Sequence, residues 1–363
     1  MAEFLFSPVT AIHSNKPPGT LITGVPGSGK SFCMTNLASN CLEEGCKTLC
    51  LDAKNDMLTL KNIYPDVKIT DVNNINPGAL DPFLVFENVD AITILSVVEI
   101  ICGGLDQATT TAITPIIKDF VTRAKMTKNA NFRDFANYLY QNKSIQAQSI
   151  GNQLLLNADS KYGPLLFGEM GRAQRVFRLK KENRIISIFG MALPLDEEHA
   201  KPDERLNSAV IYIICRMMQN TLKNSNKNDK KPTVLFLDEC HMLMRSQAIK
   251  DVIEEILVLG RSLGVAICMA SQNVTHFDKK VAQLVSTKIS FKMSKQEAEE
   301  FFELFNNTTS GQELNIRNSI EIITRLKTGF AFCIDSCERC GIIHITSNYG
   351  DDITSNPLFK KKR

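Results

Sequence analysis

Several features that would assign the chain to a special class of protein are missing from its sequence. No apolar run approaches the ~20 residues that a membrane-spanning helix needs, since the longest, such as residues 209–215, are far shorter. No signal peptide is recognisable. Basic residues (42) barely outnumber acidic ones (39), so the net charge of +3 is too small to indicate nucleic-acid binding by itself. We therefore expect a cytoplasmic protein without a transmembrane segment of its own, which meets a membrane only peripherally, through a partner.

The cysteines do not form the pattern of a disulfide framework or of a structural zinc site. There are eleven of them, an odd number, and without a signal peptide they are expected to stay as free thiols in a reducing compartment. Cys337 and Cys340 form the one C-x-x-C pair. A four-ligand zinc site would need a second pair. The chain length of 363 residues and the apolar share of 44% instead predict a two-lobed α/β protein with a sizeable core.

The most informative stretch is residues 20–31, with the sequence TLITGVPGSGKS. Its second part matches G-x-x-x-x-G-K-[ST] at every fixed position, after a strand-like run and before a helix at 32–42. In such a loop the backbone wraps a phosphate, the lysine reaches the β- and γ-phosphates, and the serine hydroxyl binds Mg²⁺. Lys30 and Ser31 have these positions. The predicted nucleotide-binding residues are Gly24, Val25, Pro26, Gly27, Ser28, Gly29, Lys30, Ser31 and Phe32.

Two later strands are predicted to bring the catalytic groups. The apolar run 234–237 leads directly into Asp238 and Glu239. A carboxylate at such a strand end holds Mg²⁺, and a second can polarise the water that attacks the γ-phosphate. The strand 265–270 delivers Gln272, whose amide suits a γ-phosphate sensor. The strand 47–52 also ends in charged residues (DAKND), which indicate either a ligand-binding rim or a solvated loop; His241 is expected to be a loop neighbour.

The remaining pattern divides the chain into four parts. Residues 1–86 and 181–350 alternate strands and helices, whereas 87–180 has helical spacing at 91–102, 112–125, 132–141 and 144–156. We expect an all-helical insertion there, and a basic tail at 351–363. Further expected elements are strands at 67–70, 185–189 and 287–293, a helix at 206–221, a second helix from about 249 that ends within 260–264, a capping box from Ser294 to Glu297, and a hairpin at 330–335 and 341–346. The basic stretch Arg172, Arg175, Arg178, Lys180, Lys181 and Arg184 is either a solvated face or a contact for phosphates or a partner.

Together, GVPGSGKS, LDAKND, VLFLDE, GRSLGVAICMASQ and the late hairpin resemble the HerA/FtsK superfamily of P-loop motor ATPases. LDPF, YGPLLFGE and ISIFGMALPL make the chain most similar to the conjugative ATPases of type IV secretion, the VirB-four and TraC kind. The resemblance covers about residues 19–346. It implies a RecA-like α/β P-loop NTPase fold with a mostly parallel central sheet and an inserted all-helical subdomain. The family's separate N-terminal domain has no counterpart, so a nucleotide-binding fragment or a reduced homologue is expected.

The resemblance also implies residue roles and partners. Asp238 would hold the metal, Glu239 would be the catalytic base and Gln272 the sensor. Arg261 would be an arginine finger acting in a neighbouring subunit, with Arg339 as a second candidate; a plain surface arginine is the alternative for both. The implied function is ATP hydrolysis with Mg²⁺ by a homo-oligomer, a hexameric ring, that drives type IV secretion or conjugative DNA transfer with the secretion machinery at the inner face of the membrane.

Two alternatives to that function stay open. The first is a double-stranded DNA translocase or coupling protein, and the second is a nucleotide-dependent assembly scaffold with weak hydrolysis. Whether DNA is bound is left open by the sequence, and no motif distinguishes ATP from GTP.

Overall fold

The structure, a computed structural model, consists of strands and helices that alternate along most of the chain. It describes residues 8–9, 12, 16–127, 130–168, 176–180, 182–195, 199–223, 231–272, 274–275, 277, 279–305, 316–336 and 339–346. The strands are β1 (Gly19–Thr23), β2 (Lys47–Asp52), β3 (Lys68–Asp71), β4 (Arg184–Ser187), β5 (Thr233–Leu237), β6 (Val265–Ser271), β7 (Val285–Ser290), β8 (Phe330–Ile334) and β9 (Cys340–His344).

The helices lie between these strands and cover the sheet. They are α1 (Lys30–Glu43), α2 (Leu60–Ile63), α3 (Pro82–Val85), α4 (Ala91–Cys102), α5 (Gln107–Thr127), α6 (Phe132–Tyr140), α7 (Ile145–Ala158), α8 (Gly163–Phe167), α9 (Pro202–Lys223), α10 (Cys240–Leu243), α11 (Gln247–Leu263), α12 (Lys279–Gln283), α13 (Lys295–Phe305) and α14 (Ile316–Arg325). Among the helices of the described ranges, none is both long and apolar enough to cross a membrane.

All nine strands belong to one sheet, in the order β3-β4-β2-β5-β6-β1-β7-β8-β9. The pairs from β3 to β7 are parallel, whereas β8 pairs antiparallel with both β7 and β9. A parallel sheet covered on both faces selects continuous apolar strands, and β5 (TVLFL) and β6 (VAICMAS) are buried at every residue. The predicted α/β fold with a mostly parallel central sheet is thus confirmed.

The helical segment between β3 and β4 packs on the sheet domain. Residues of the sheet (Leu51, Ile186) and of the helical segment (Ile94, Phe132, Leu166) belong to one continuous hydrophobic core. Asp81 links the chain after β3 to the helical segment through hydrogen bonds. It is fully buried, and its Oδ1 accepts from the Phe83 amide at 2.9 Å while its Oδ2 accepts from the Phe132 amide at 2.7 Å. The helices α4 to α8 lie where an insertion is expected; its limits at 87 and 180 stay a prediction.

The ends of two further predicted elements can be compared with the structure. The helix expected to end within residues 260–264 ends at Leu263, whereas the strand expected to reach residue 293 stops at Ser290. The capping box is present, because Ser294 and Glu297 bond each other's amides. The hairpin is present as β8 and β9. The expected basic tail, Cys337 of the C-x-x-C pair, and Arg172, Arg175 and Lys181 of the basic stretch lie outside the described residues.

Candidate active site

The carboxyl ends of four neighbouring strands bring the predicted site residues to one edge of the sheet. The register pairs Thr23 of β1 with Ser271 of β6. It also pairs Leu237 of β5 with both Met269 of β6 and Leu51 of β2. Adjacent strands are ~4.8 Å apart, so the P-loop, Gln272, Asp238 and Asp52 follow one another along this edge. We call it the carboxyl edge.

The P-loop turns sharply from β1 into α1. Gly24 has φ 144°, and a Cβ built there would lie 2.7 Å from the Phe291 Cβ, so the position accepts only glycine. The buried Lys30 ammonium spans the loop and donates to the carbonyls of Gly24 at 2.6 Å and Val25 at 2.9 Å. Burial lowers the pKa of Lys30, against the opposing charge of Glu239. The first turn of α1 holds no acidic residue and no side-chain cap, so its amides point towards an anion position.

Asp238 has the surroundings of a metal ligand. Its backbone amide donates to the Leu51 carbonyl at 3.0 Å, and its Oδ2 is buried without a hydrogen-bond partner. Burial, followed by the charges of Asp52 and Glu239, raises the pKa of Asp238 to about 7. A cation would satisfy both the orphaned oxygen and the crowded negative charge. Mg²⁺ is commonly bound through one or two carboxylates together with substrate phosphates, a role that Asp238 would suit. Within the described ranges no group of three or more His, Cys, Asp or Glu could hold a metal.

Glu239 is held from three sides in an uncommon backbone conformation. Its φ of 48° lies in the left-handed region, which a non-glycine residue seldom adopts. Gln272 Nε2 donates to both carboxylate oxygens, at 2.8 and 3.0 Å, Lys54 forms an ion pair with Oε1, and His241 Nδ1 lies 3.0 Å from Oε2. Burial raises the pKa of Glu239, but the contacts with His241, Lys54 and Gln272 outweigh it and hold the pKa at about 2. The carboxylate is therefore ionised, as a base must be.

The comparisons with known proteins agree with this arrangement. Residues 8–352 match a protein family described as the AAA-like domain. The chain belongs to this family. The match covers nearly the whole AAA-like chain and confirms the resemblance to P-loop motor ATPases. The comparison with curated proteins gives no match to the sequence.

Solved structures similar to this AAA-like chain show the same fold. VirB4 of Thermoanaerobacter pseudethanolicus superposes with a TM-score of 0.72 and 14% identity, over 92% of this chain and 91% of that one. The plasmid coupling protein TrwB in complex with the non-hydrolysable ATP analogue ADPNP gives 0.60 and 13%, over 92% and 86%. TrwB in complex with ADP and Mg²⁺ gives 0.58 and 14%, over the same shares. These likenesses confirm the P-loop ATPase fold.

Three residues at the carboxyl edge were not among the predicted site residues of this AAA-like chain. Lys54 and His241 contact Glu239, and Asp52 is fully buried beside Asp238. Burial raises the pKa of Asp52 to about 6. For Asp52 and Lys54 the sequence signal was the charged end of β2, with which a solvated loop was equally compatible, and His241 had been interpreted as a loop neighbour. The structure shows that β2 is the immediate neighbour of β5, and this adjacency brings Asp52 and Lys54 close to Asp238 and Glu239.

The two candidate finger arginines lie far from the phosphate loop of their own subunit. Arg261 is exposed on the last turn of α11, before β6 begins, whereas Gln272 follows the end of β6. A seven-residue strand spans roughly 23 Å. Arg339 lies in the turn between β8 and β9, where its Nε donates to Asp335 Oδ2 at 2.7 Å. Both arginines are thus at the amino ends of the parallel strands, opposite the carboxyl edge.

Proposed function

We propose that this AAA-like chain hydrolyses ATP with Mg²⁺ and thereby drives a type IV secretion or conjugation machine. The observation that carries the proposal is the carboxyl edge itself. There Lys30 follows β1, Gln272 follows β6, and Asp238 and Glu239 follow β5, and these are three neighbouring strands. Lys30 spans the P-loop, Asp238 has a buried oxygen without a partner, and Gln272 holds the ionised carboxylate of Glu239. The TrwB structures, which contain ADPNP or ADP and Mg²⁺, support the choice of ligands.

Each residue has a task that its geometry suits. The P-loop amides and Lys30 receive the β- and γ-phosphates of the substrate. Ser31 and Asp238 would hold Mg²⁺, which neutralises charge that develops on the phosphates. Glu239 accepts the proton of the attacking water, and Gln272 orients both the carboxylate and the γ-phosphate. Because catalysis of phosphoryl transfer is mainly positioning and electrostatics, the network around Glu239 is as important as the carboxylate.

The larger assembly is part of the same proposal. We propose that the chain works as a homo-oligomer, a hexameric ring, in the cytoplasm against the membrane-embedded secretion machinery. The likeness in fold to TrwB, which is described as a bacterial conjugative coupling protein, supports the link to conjugation. In this proposal residues 1–86 and 181–350 form the RecA-like domain and 87–180 the helical insertion. Arg261 would complete the site of the neighbouring subunit, because it is too distant from its own.

The Lys30→Ala variant tests the proposed activity. Without the ammonium, the β- and γ-phosphates lose their main positive partner, so we expect turnover to disappear and nucleotide binding to weaken. Phosphate release and titration of a fluorescent ATP analogue measure the two effects. Lys61→Ala, at a partly exposed lysine on α2, is the charge-matched control and should behave as wild type. Hydrolysis by Lys30→Ala at the wild-type rate would refute the assignment.

The coupling-protein alternative is supported by the TrwB fold, which is described as a bacterial conjugative coupling protein. It predicts that double-stranded DNA stimulates turnover, whereas a secretion motor working on protein partners predicts no stimulation. Measuring turnover with single- and double-stranded DNA separates the two. A scaffold with weak hydrolysis predicts no product beyond background in a single-turnover experiment.

A further inference from the structure

We propose that Lys54 is a positioning residue for the catalytic carboxylate: its ammonium, delivered by the turn after β2, holds Glu239 Oε1 in the hydrolytic orientation. The inference rests on the proposed ATPase activity and deepens it. Lys54 would act through Glu239 and would not touch the phosphates. The P-loop already supplies its own lysine, Lys30, whose ammonium bonds to the carbonyls of Gly24 and Val25.

The turn that carries Lys54 is anchored at both of its ends. The buried Asp52 accepts from the Lys54 amide at 3.1 Å through Oδ1 and from the Met57 amide at 3.0 Å through Oδ2. Between them Asn55 has φ 64°, and its Oδ1 accepts from the Ser187 hydroxyl of β4 at 2.5 Å. A left-handed non-glycine residue persists only where the surroundings determine it. The backbone of Lys54 is thus fixed by β2 and β4 before the side chain extends.

The side chain of Lys54 leaves this fixed turn and reaches the next strand end, where Glu239 is 5% exposed and Lys54 44% exposed. Burial lowers the pKa of Lys54, but the hydrogen bond and charge of Glu239 outweigh it and raise the pKa. Of the groups that contact the Glu239 carboxylate, Gln272 is a neutral amide and His241 an imidazole. Lys54 is the ammonium group among them, and its ion pair is with Oε1.

This asymmetry gives Lys54 a task that Gln272 cannot perform. The amide of Gln272 touches both oxygens almost equally, at 2.8 and 3.0 Å, so it does not fix the rotation of the carboxylate about its last bond. The ion pair on Oε1 fixes this rotation from one side, and His241, 3.0 Å from Oε2, fixes it from the other. Without Lys54 the His241 contact alone opposes the rotation, and the proton-accepting geometry is populated less often.

The expected consequence is a loss of kcat without a loss of nucleotide affinity. Removing a residue that orients a reacting group typically costs roughly ten- to a hundredfold in activity. Lys54→Ala should therefore reduce kcat by about that factor, while the dissociation constants for ATP and ADP stay within twofold. Lys54→Arg keeps a cation at the position and should restore most of the activity. Lys61→Ala should show neither effect.

A double-mutant cycle decides whether Lys54 acts through Glu239. Single-turnover rates are measured for wild type, Lys54→Ala, Glu239→Gln and the double variant, with thermal unfolding to show that all four are folded. If Lys54 positions the carboxylate, its removal has no further effect once the carboxylate has become an amide. Equal losses in both backgrounds would overturn the inference, because Lys54 would then act independently of Glu239. Weakened ATP binding with unchanged ADP binding would overturn it too, because it indicates direct contact with the γ-phosphate. A wild type without turnover would instead refute the proposed function.

Discussion

Glu239 combines backbone strain with a fully occupied carboxylate. A non-glycine residue at φ 48° carries a conformational cost of order 1–3 kcal/mol, and the contacts from Lys54, Gln272 and His241 offset it. The same contacts keep the group ionised at neutral pH. Strain of this kind is maintained where it places a reactive atom, here an oxygen at the carboxyl edge beside the orphaned Asp238 Oδ2.

The Glu239→Gln variant should bind ATP nearly as wild type does but should not hydrolyse it. The amide preserves the shape and can still meet Gln272, but it cannot accept a proton from water, and the loss of a general base typically costs about 10²–10⁴-fold. Rapid-quench measurement of bound ATP and of product over time checks both parts. If ATP binding vanished while turnover remained, Glu239 would have a structural role.

Among single residues, the sequence motifs identified one part of the candidate site. The other part could be identified only from the strands that are neighbours in the folded sheet. Lys30, Asp238, Glu239 and Gln272 were identifiable because each follows a strand within a recognisable local pattern. Lys54 was not, because its importance depends on β2 lying next to β5, which are about 180 residues apart in the chain. Strand order is set by packing of the whole sheet, so no local pattern around DAKND reports it.

Among the elements, the attachment of the helical segment depends on one buried carboxylate. Asp81 caps α3 through the Phe83 amide and binds the Phe132 amide at the start of α6. Around it, Phe83 packs with the rings of Phe120 and Phe135 at centroid distances of 5.3 and 5.8 Å. The carboxylate thus provides the polar link, and the rings the apolar one, between the chain after β3 and the helices.

Asp81→Ala should destabilise the protein strongly. The change leaves two backbone amides, of Phe83 and Phe132, without an acceptor, and a buried unsatisfied donor costs about 1–3 kcal/mol. We expect the free energy of unfolding, measured by urea titration, to fall by about 1–3 kcal/mol for each of the two amides. Asp134→Ala is the control, because Asp134 begins the same helix α6 but has an exposed side chain. A change for Asp81→Ala below 1 kcal/mol would show that the link is dispensable.

Asp81 should also make stability depend on pH. Burial raises the pKa of Asp81 to about 8, although the amides of Phe132 and Phe83 oppose the rise. In the unfolded chain the pKa is ~3.9, so the folded state binds the proton more tightly. The stabilising contribution is complete below about pH 4 and is lost as the pH rises towards 8. The unfolding free energy of Asp81→Asn, measured at pH 5 and pH 8, should fall less with pH than that of wild type; equal falls would contradict the prediction.

The boundary of α11 shows how a local signal can identify a helix end. The segment 260–264, with a glycine at each end, predicted the end of the helix, and α11 does end there, at Leu263 with Gly264 in the left-handed conformation. Gly260 itself is required for another reason, because a Cβ there would lie 2.7 Å from the Val265 carbonyl and 2.9 Å from Pro18 Cγ. Long, regularly spaced segments such as Ala91–Cys102 and Pro202–Lys223 were predicted well, because their apolar periodicity is independent of such contacts.

In the whole molecule, the common direction of the parallel strands gives the sheet two different ends: the carboxyl edge and the opposite edge, where the strands begin. The P-loop, Asp238, Glu239 and Gln272 are at the carboxyl edge, and Arg261 and Arg339 are at the amino ends of the strands. An arginine finger at either position would therefore have to act in a neighbouring subunit, as proposed above. Arg339 is also paired with Asp335 in its own hairpin turn, whereas the exposed Arg261 lies on a helix end. Head-to-tail packing in a ring would bring the arginine face of one subunit towards the carboxyl edge of the next.

Arg261 therefore gives the decisive test of the ring. If it completes a neighbour's site, specific activity should rise with protein concentration, and Arg261→Ala should abolish that rise with a loss of order 10³-fold and unchanged nucleotide affinity. Arg317→Ala, at an exposed arginine of α14, is the matched control and should keep the rise of activity with concentration.

Mixing two inactive variants is the sharper measurement. Arg261→Ala subunits have an intact P-loop, and Lys30→Ala subunits have an intact Arg261. Mixed rings should therefore regain activity that neither variant has alone. Failure to complement, in mixtures shown to co-assemble, would mean that Arg261 serves its own subunit or only the fold, and Arg339 would become the residue to test.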